Sequence, residues 1–415
     1  MASSQAQIAG SSASATVVKT DIKPLLQSLW PGTSSVTPTE IADAISLFFT
    51  NQVSESQAAS LLICLHFTQL DIRADVLAEC ARVMRNAAEQ VDAPGLQALI
   101  QKKGLSVGKY NGGLCDIVGT GGDSHNTFNI STTASIIASG LLLVSKHGNR
   151  ASTSKSGSAD LVNSMAPRPP ILNAVTPTGL IDIYTRTNYA FLFAPVFHPG
   201  MRYVAPVRKQ LPWRTIFNNL GPLANPVEAV LEARVIGVAR RALGPAFAEA
   251  LRLAGVRKAL IICGAEELDE ISCAGPTYCW MLQENAQGEV HVREFTVSPE
   301  DFGFERHALS EVESGKEPKE NAELLHRILN NELEDNNPLL QFILMNAAAL
   351  FVVSGMTEAD ESDMGEGDDR KVVTERGPGD CRWKEGVRRA RWCVKSGAAW
   401  KQWSEFVNVT NDLGE

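Results

Sequence analysis

Four short stretches hold residues suited to gripping phosphate and a divalent cation. The first is Gly119-Thr120-Gly121-Gly122-Asp123, which follows the apolar run 115–118. Glycine backbone N–H groups can approach an anion closely because no Cβ stands in the way. Taken alone, such a loop fits an ordinary tight turn as well. The second, Asn129-Ile130-Ser131-Thr132, stands directly before the apolar pattern 134–141. That places Ser131 or Thr132 at a helix N-terminus, where unpaired N–H donors and partial positive charge favour phosphate. The third, Lys146-His147-Gly148-Asn149-Arg150, leads into Ser152, Thr153, Ser154, Gly157 and Ser158. Small hydroxyl residues with glycine and a lysine are the composition of a second phosphate cradle, although His147 and Arg150 taken singly also fit exposed polar residues or side chains satisfied by an ordinary hydrogen bond. The fourth, after the apolar run 259–263, carries four acids: Glu266, Glu267, Asp269 and Glu270. One or two carboxylates, completed by water and substrate phosphate, are how Mg2+ is normally bound. An acidic surface loop fits the same residues, and the sequence does not choose among the four.

Elements must bring these stretches together. From residue 112 onward, short apolar runs alternate with glycine-rich turns and helical patterns, as in a βαβ-type domain. Strands are expected at 115–118, 141–145, 233–239 and 259–263, three of them running straight into the candidate loops. In open α/β sheets ligands bind beyond the carboxyl ends of the strands, so two phosphate cradles and an acidic loop would face one cleft. That suits a diphosphate bridged by magnesium, the metal neutralising a departing pyrophosphate. A basic segment, 202–214, contains Arg208 and precedes a run ending Gly221-Pro222-Leu223-Ala224-Asn225-Pro226; an arginine here can clasp a carboxylate through two parallel hydrogen bonds. Structural ion pairing is an equal alternative for any one arginine. No residue reads as a catalytic nucleophile.

Residues 21–111 carry helical periodicity without strands, with Ile41, Ala44, Ile45 and Phe48 on one face and Leu61, Leu62, Leu65 and His66 on another. Thr37 with Glu40, and Ser54 with Gln57, have the spacing of helix-starting capping boxes. Residues 170–186 look helical again, so 170–210 is expected to rejoin the helical domain. The α/β domain would then comprise 112–169 and 211–415. Residues 1–20 read as a disordered lead-in without the features of a signal or transit peptide. Residues 357–384 read as an acidic surface insertion, and Asp360-Glu361-Ser362-Asp363 lacks the ligand spacing of an EF-hand.

The 415 residues carry a formal net charge of -9. No general basic field is present to hold nucleic acid, so phosphate must be bound locally. The apolar stretches fall short of the roughly 20 residues that span a bilayer, and the eight cysteines form no C-x-x-C pair. A cytoplasmic protein is expected.

Taken together, GTGGD from Gly119, NIST from Asn129, KHGNRASTSKSGSAD from Lys146, FAPVFHPGMRYVAPVRKQLPWRTIFNNLGPLANP from Phe193 and the acids Asp269-Glu270 closely resemble the anthranilate phosphoribosyltransferases, over most of the chain. The proline-rich segment after Met165 and the acidic insertion near Asp363 resemble the fungal branch. Pro212 departs from the glycine of many relatives. The resemblance implies a small helical domain plus a larger α/β domain with a mainly parallel central sheet, of the nucleoside phosphorylase type, and a homodimer formed through the helical domain. It implies transfer of the phosphoribosyl group of phosphoribosyl pyrophosphate to the amine of anthranilate, a step of tryptophan biosynthesis, by positioning and electrostatics. Gly119, Gly122, Asp123, Thr127, Asn129, Ile130, Ser131, Thr132, Lys146, His147, Gly148, Asn149, Arg150, Ser154 and Ser158 would bind the sugar diphosphate. Gly119, Asn149, Arg208, His147 and Pro222 would meet anthranilate, with Arg208 and Asn149 orienting it. Ser131, Asp269 and Glu270 would serve Mg2+. The alternatives are a pyrimidine-type nucleoside phosphorylase and a non-catalytic nucleic-acid-binding relative.

Overall fold

In the computed structural model the described residues are 18–32, 35–123, 125, 127–151, 156–285, 287–312 and 317–415. Nearly all of the expected lead-in, and Ser154, lie outside them.

One seven-stranded sheet organises the molecule, in the order β3-β2-β1-β4-β5-β6-β7. The strands are β1 (Leu114–Gly119), β2 (Leu143–Gly148), β3 (Tyr189–Phe193), β4 (Leu231–Gly237), β5 (Ala259–Gly264), β6 (Thr277–Glu284) and β7 (Val290–Val297). The first five run parallel, whereas β6 pairs antiparallel with both β5 and β7. Parallel strands covered on both faces must be apolar on both, and the strands divide accordingly. In β5, Leu260 and Ile262 enter one apolar cluster while Ala259, Ile261 and Cys263 enter the other; in β4, Ala233 and Val235 oppose Ile236. Over the first face lies the helix Pro338–Ser354, buried along nearly its whole length. It is capped by the Asn337 side chain, which accepts from Leu340 N at 3.1 Å, and it stops at Gly355 with φ +88°.

The second face shares its core with the helical domain, built from Lys23–Leu29, Pro38–Phe49, Glu55–Phe67 and Ala74–Asn86. The capping box at Thr37 forms in both directions. Ser54 caps Gln57 N at 3.3 Å, but the Gln57 side chain turns instead to Ile22 N and Asp21, tying the chain's entry to this helix.

Three expectations need correction. Residues 170–186 are helical only at Leu180–Arg186, after two short 3-10 turns. Residues 170–210 do not return as a block to the helical domain: Leu172, Val175, Leu180, Ile183 and Tyr184 pack in the α/β core, and β3 is an edge strand of the sheet. Only the helix Met201–Gln210 goes back, through Val204 and Val207, and the chain stays there through Ile216–Leu220. Conversely, the helix Ala93–Lys103 packs Leu96 and Ile100 into the α/β core. The physical reason is that β3, Tyr-Ala-Phe-Leu-Phe, is a short and fully buried apolar run, which periodicity cannot tell from a helix segment. The acidic segment is largely exposed and anchored at one point, Asp368, which accepts from Ser362, Met364 N, Arg370 N and Arg388 and whose side chain is 1% exposed.

Candidate functional site

β1, β2, β4 and β5 are parallel neighbours, so their carboxyl ends lie along one edge of the sheet. β1 ends at Gly119, in register with Gly237 of β4. The chain then turns through Gly121 and Gly122, both left-handed at φ +62° and +77°. A side chain at either would strain the turn. Thr120 secures the loop to β4 from both sides, its N–H donating to Gly237 O at 2.9 Å and its hydroxyl accepting from Ala239 N at 3.1 Å.

The acidic loop after β5 packs directly onto this turn. Gly121 N donates to Asp269 Oδ2 at 2.7 Å. A Cβ on Gly119 would strike the Asp269 carboxylate, and one on Gly237 would strike its backbone carbonyl. Asp123, Asp269 and Glu270 each offer a carboxylate oxygen within 4.8 Å of the others. Burial pushes Asp123 up to about 7, with the Asp269 charge adding to it. Burial, then Asp269 and Asp123, hold Glu270 well above the usual carboxylate range. Asp123 Oδ2 is buried without a hydrogen-bond partner among the described residues. Three crowded carboxylates, one with an orphaned oxygen, fit a hard divalent cation. The four acids left open by the sequence thus separate: Glu266 bonds to Ser272, Glu267 is an exposed left-handed turn residue, and Asp269 and Glu270 join Asp123. Thr127 donates to Glu270 at 3.3 Å.

Ile130, Ser131 and Thr132 form the first turn of the helix Ile130–Ala138. Asn129 stands at its N-cap without capping it, because its side chain bridges elsewhere: Nδ2 donates to Ser156 O at 3.0 Å, and Oδ1 accepts from Asn321 at 3.2 Å. The first-turn N–H groups are thereby left without a side-chain cap, and the two cradles are tied together.

The β2 end divides into a buried and an exposed part. Lys146 is 2% exposed, beneath the glycine loop, with Nζ donating to Ile117 O at 2.7 Å and facing Asp116 and Asp269. His147 is 5% exposed; its ring lies 5.2 Å from that of His198, and its Nε2 has no partner among the described residues. Burial, reinforced by His198, depresses His147 well below its ordinary value, and burial takes His198 down to about 4, so both rings are neutral near pH 7. Gly148 abuts Phe191 and Ser158. Ser158 donates to Asn149 O at 3.0 Å and accepts from Asn149 N at 3.2 Å, and Asn149 Oδ1 accepts from Arg150 N at 2.8 Å. The Arg150 guanidinium lies 5.4 Å from the Phe193 ring centre.

Arg208 lies over Phe217 at 5.7 Å, and Pro222 is buried in the connector that follows. Sequence reasoning did not single out Arg214, Asn225 or Asp116. Asn225 Nδ2 donates to Asp116 Oδ2 at 2.9 Å and to Ser145 O at 3.1 Å, joining β1, β2 and the connector. An acid in the apolar run of β1 was a legible signal of such a network; Asn225 offered none.

Two family models cover this architecture: a helical bundle domain of the glycosyl transferase family over residues 23–88, and the a/b domain of the same family over residues 111–400. Fold and site therefore define a two-domain glycosyl transferase. The anthranilate phosphoribosyltransferase of Schizosaccharomyces pombe is 38% identical over 368 residues, 88% of this chain and 91% of that protein. That of Saccharomyces cerevisiae is 35% identical, over 86% of this chain and 87% of its own. The solved structure of the Saccharomyces cerevisiae enzyme in complex with PRPP and Mg matches 93% of this chain and 97% of its own, with TM-score 0.75 and 30% identity; the same enzyme in complex with 4-fluoroanthranilate matches with TM-score 0.74 and 29% identity. The chain belongs to the anthranilate phosphoribosyltransferase family.

Proposed function

We propose that this chain transfers the phosphoribosyl group of phosphoribosyl pyrophosphate to the amine of anthranilate, giving N-(5-phosphoribosyl)anthranilate and pyrophosphate, a step of tryptophan biosynthesis. The observation that carries this is the contact of the glycine loop with the acidic loop, Gly121 N to Asp269 Oδ2, which sets phosphate donors beside three carboxylates. Asp123, Asp269 and Glu270 would hold magnesium, with Ser131 assigned to it by resemblance. The metal would supply positive charge to the diphosphate.

The protein's own residues do the rest. Gly119, Gly122, Asp123, Thr127 and the first turn Ile130, Ser131, Thr132 bind the sugar diphosphate, with Asn129, Gly148, Asn149, Arg150 and Ser158 completing the second cradle. Lys146 contributes positive charge from below. Arg208 clasps the anthranilate carboxylate, while Gly119, Asn149, His147 and Pro222 border the ring. An aromatic amine is already neutral at pH 7, so its nitrogen lone pair attacks C1 of the ribose as the C1–oxygen bond breaks; the electron pair of that bond leaves with pyrophosphate, and the acidic proton of the new cationic nitrogen passes to water or to the departing pyrophosphate. Positioning and electrostatics then suffice without a strong base. His147, kept neutral by burial, can hydrogen-bond without adding charge.

Homodimerisation through the helical domain follows from the resemblance, and sedimentation or light scattering tests it. No helix among the described residues is long and apolar enough to cross a membrane; the free cysteines suit a reducing, cytoplasmic setting. The reaction is tested by following pyrophosphate release with anthranilate, phosphoribosyl pyrophosphate and magnesium. Release in step with anthranilate consumption is expected. Phosphate-dependent cleavage of a nucleoside in its place would make the chain a nucleoside phosphorylase.

A further inference from the structure

Arg214 touches the glycine loop and has no carboxylate partner among the described residues. Arg214 lies in the connector between the helices Met201–Gln210 and Ile216–Leu220. Its Nη2 donates to Gly121 O at 2.8 Å and to Thr120 O at 3.4 Å. Its Nη1 occupies the place where a side chain on Gly122 would begin. Asp269 and Asp123 favour its charge only through space, while burial and the neighbouring Arg240 oppose it.

We propose that Arg214 is a substrate-contacting residue that grips the pyrophosphate part of the sugar diphosphate, exchanging the carbonyls of Thr120 and Gly121 for phosphate oxygens. The proposal rests on the reading of the glycine loop as the phosphate site. Its physical basis is the fork of five N–H donors, which among the described residues meets only the neutral carbonyl oxygens of Thr120 and Gly121. Hydrogen bonds from a guanidinium to an ionised oxygen are about twice as strong as neutral ones, so a phosphate would displace these partners. Two cations and two anions then sort by position. Arg208 faces Phe217, a ring fit to border an aromatic acid. Arg214 faces the glycine loop and the metal-binding acids. The Arg214 charge adds to the lowering of the Arg208 pKa that burial causes, so the two guanidiniums repel and an anion at each relieves that repulsion. The group each one meets, a ring for Arg208 and the glycine loop for Arg214, assigns its partner.

The test is calorimetric titration of magnesium pyrophosphate into the full-length wild type, Arg214→Gln, Arg214→Lys and Arg208→Gln. Arg214→Gln should weaken binding about 10- to 100-fold, the value of a charge-assisted hydrogen bond. Arg214→Lys should fall between, because it keeps charge and loses the fork, and Arg208→Gln should bind like the wild type. In steady state, Arg214→Gln should raise KM for the sugar diphosphate and spare that for anthranilate. Wild-type affinity for magnesium pyrophosphate in a folded Arg214→Gln would overturn the proposal and leave Arg214 as a clasp between connector and loop. Should Arg214→Gln not fold, wild-type affinity in Arg214→Lys would overturn it equally. A wild type that does not bind magnesium pyrophosphate would instead sink the reading of the loop as the phosphate site.

Discussion

The backbone N–H of Gly121 and the carboxylate of Asp269, 148 positions apart in sequence, meet at 2.7 Å. This bond joins the glycine loop after β1 to the acidic loop after β5, and Gly119 and Gly237 are glycines because the same aspartate lies on both.

Gly237→Ala should therefore damage the site from beneath. Its Cβ meets the Asp269 backbone, which cannot swing aside as a flexible side chain would. Overpacking of this kind costs about 1–3 kcal/mol, visible as a lower denaturation midpoint, and kcat/KM should fall further as Asp269 shifts. Unchanged stability and activity would show that the loop accommodates the methyl group.

Asp269→Asn should separate stability from function. Removing one of three crowded carboxylates relieves repulsion that raises Asp123 and Glu270, so the metal-free protein should melt at the same temperature or higher. Its magnesium affinity should drop by about tenfold or more, since the site's affinity follows its ligand charge. Lower stability together with an unaltered magnesium titration would remove Asp269 as a ligand.

How much of this was readable from sequence depended on how local the signal was. β1, β2, β4 and β5 were legible because each apolar run leads into glycine or polar residues. β3 was hidden in a continuous apolar stretch, while the alternation that opens β7, Val290-His291-Val292-Arg293, was available and went unused. At the site, the acids of 266–270 were legible as a group, and only the family resemblance singled out Asp269 and Glu270 among them. Arg214 and Asn225 were not, because Arg214 meets Gly121 across 93 positions and Asn225 meets Asp116 across 109. Nothing near either residue announces a partner so distant.

The buried histidines give an acid limb to stability. His198 falls from an ordinary 6.5 to about 4 because burial penalises its charged form. Below pH 6.5 the unfolded chain binds the proton and the folded chain does not, so stability is lost as pH falls from about 6.5 to about 4, by about 3 kcal/mol for this group. His198→Gln, which keeps a donor for Ala224 O, should flatten that limb relative to the wild type in urea titrations. Parallel curves for the two proteins would mean that His198 is protonated in the folded state.

Arg208→Ala should raise KM for anthranilate about 10- to 100-fold, as expected for a charge-assisted pair, with a far smaller change for the sugar diphosphate. Equal changes in both constants would remove it as the carboxylate clasp.

The most direct test of the whole account is the fluorescence of anthranilate, followed after mixing the purified chain with phosphoribosyl pyrophosphate and magnesium. The account expects a decay that requires all three and stops when chelator is added. A folded protein that leaves the fluorescence constant under these conditions would contradict it.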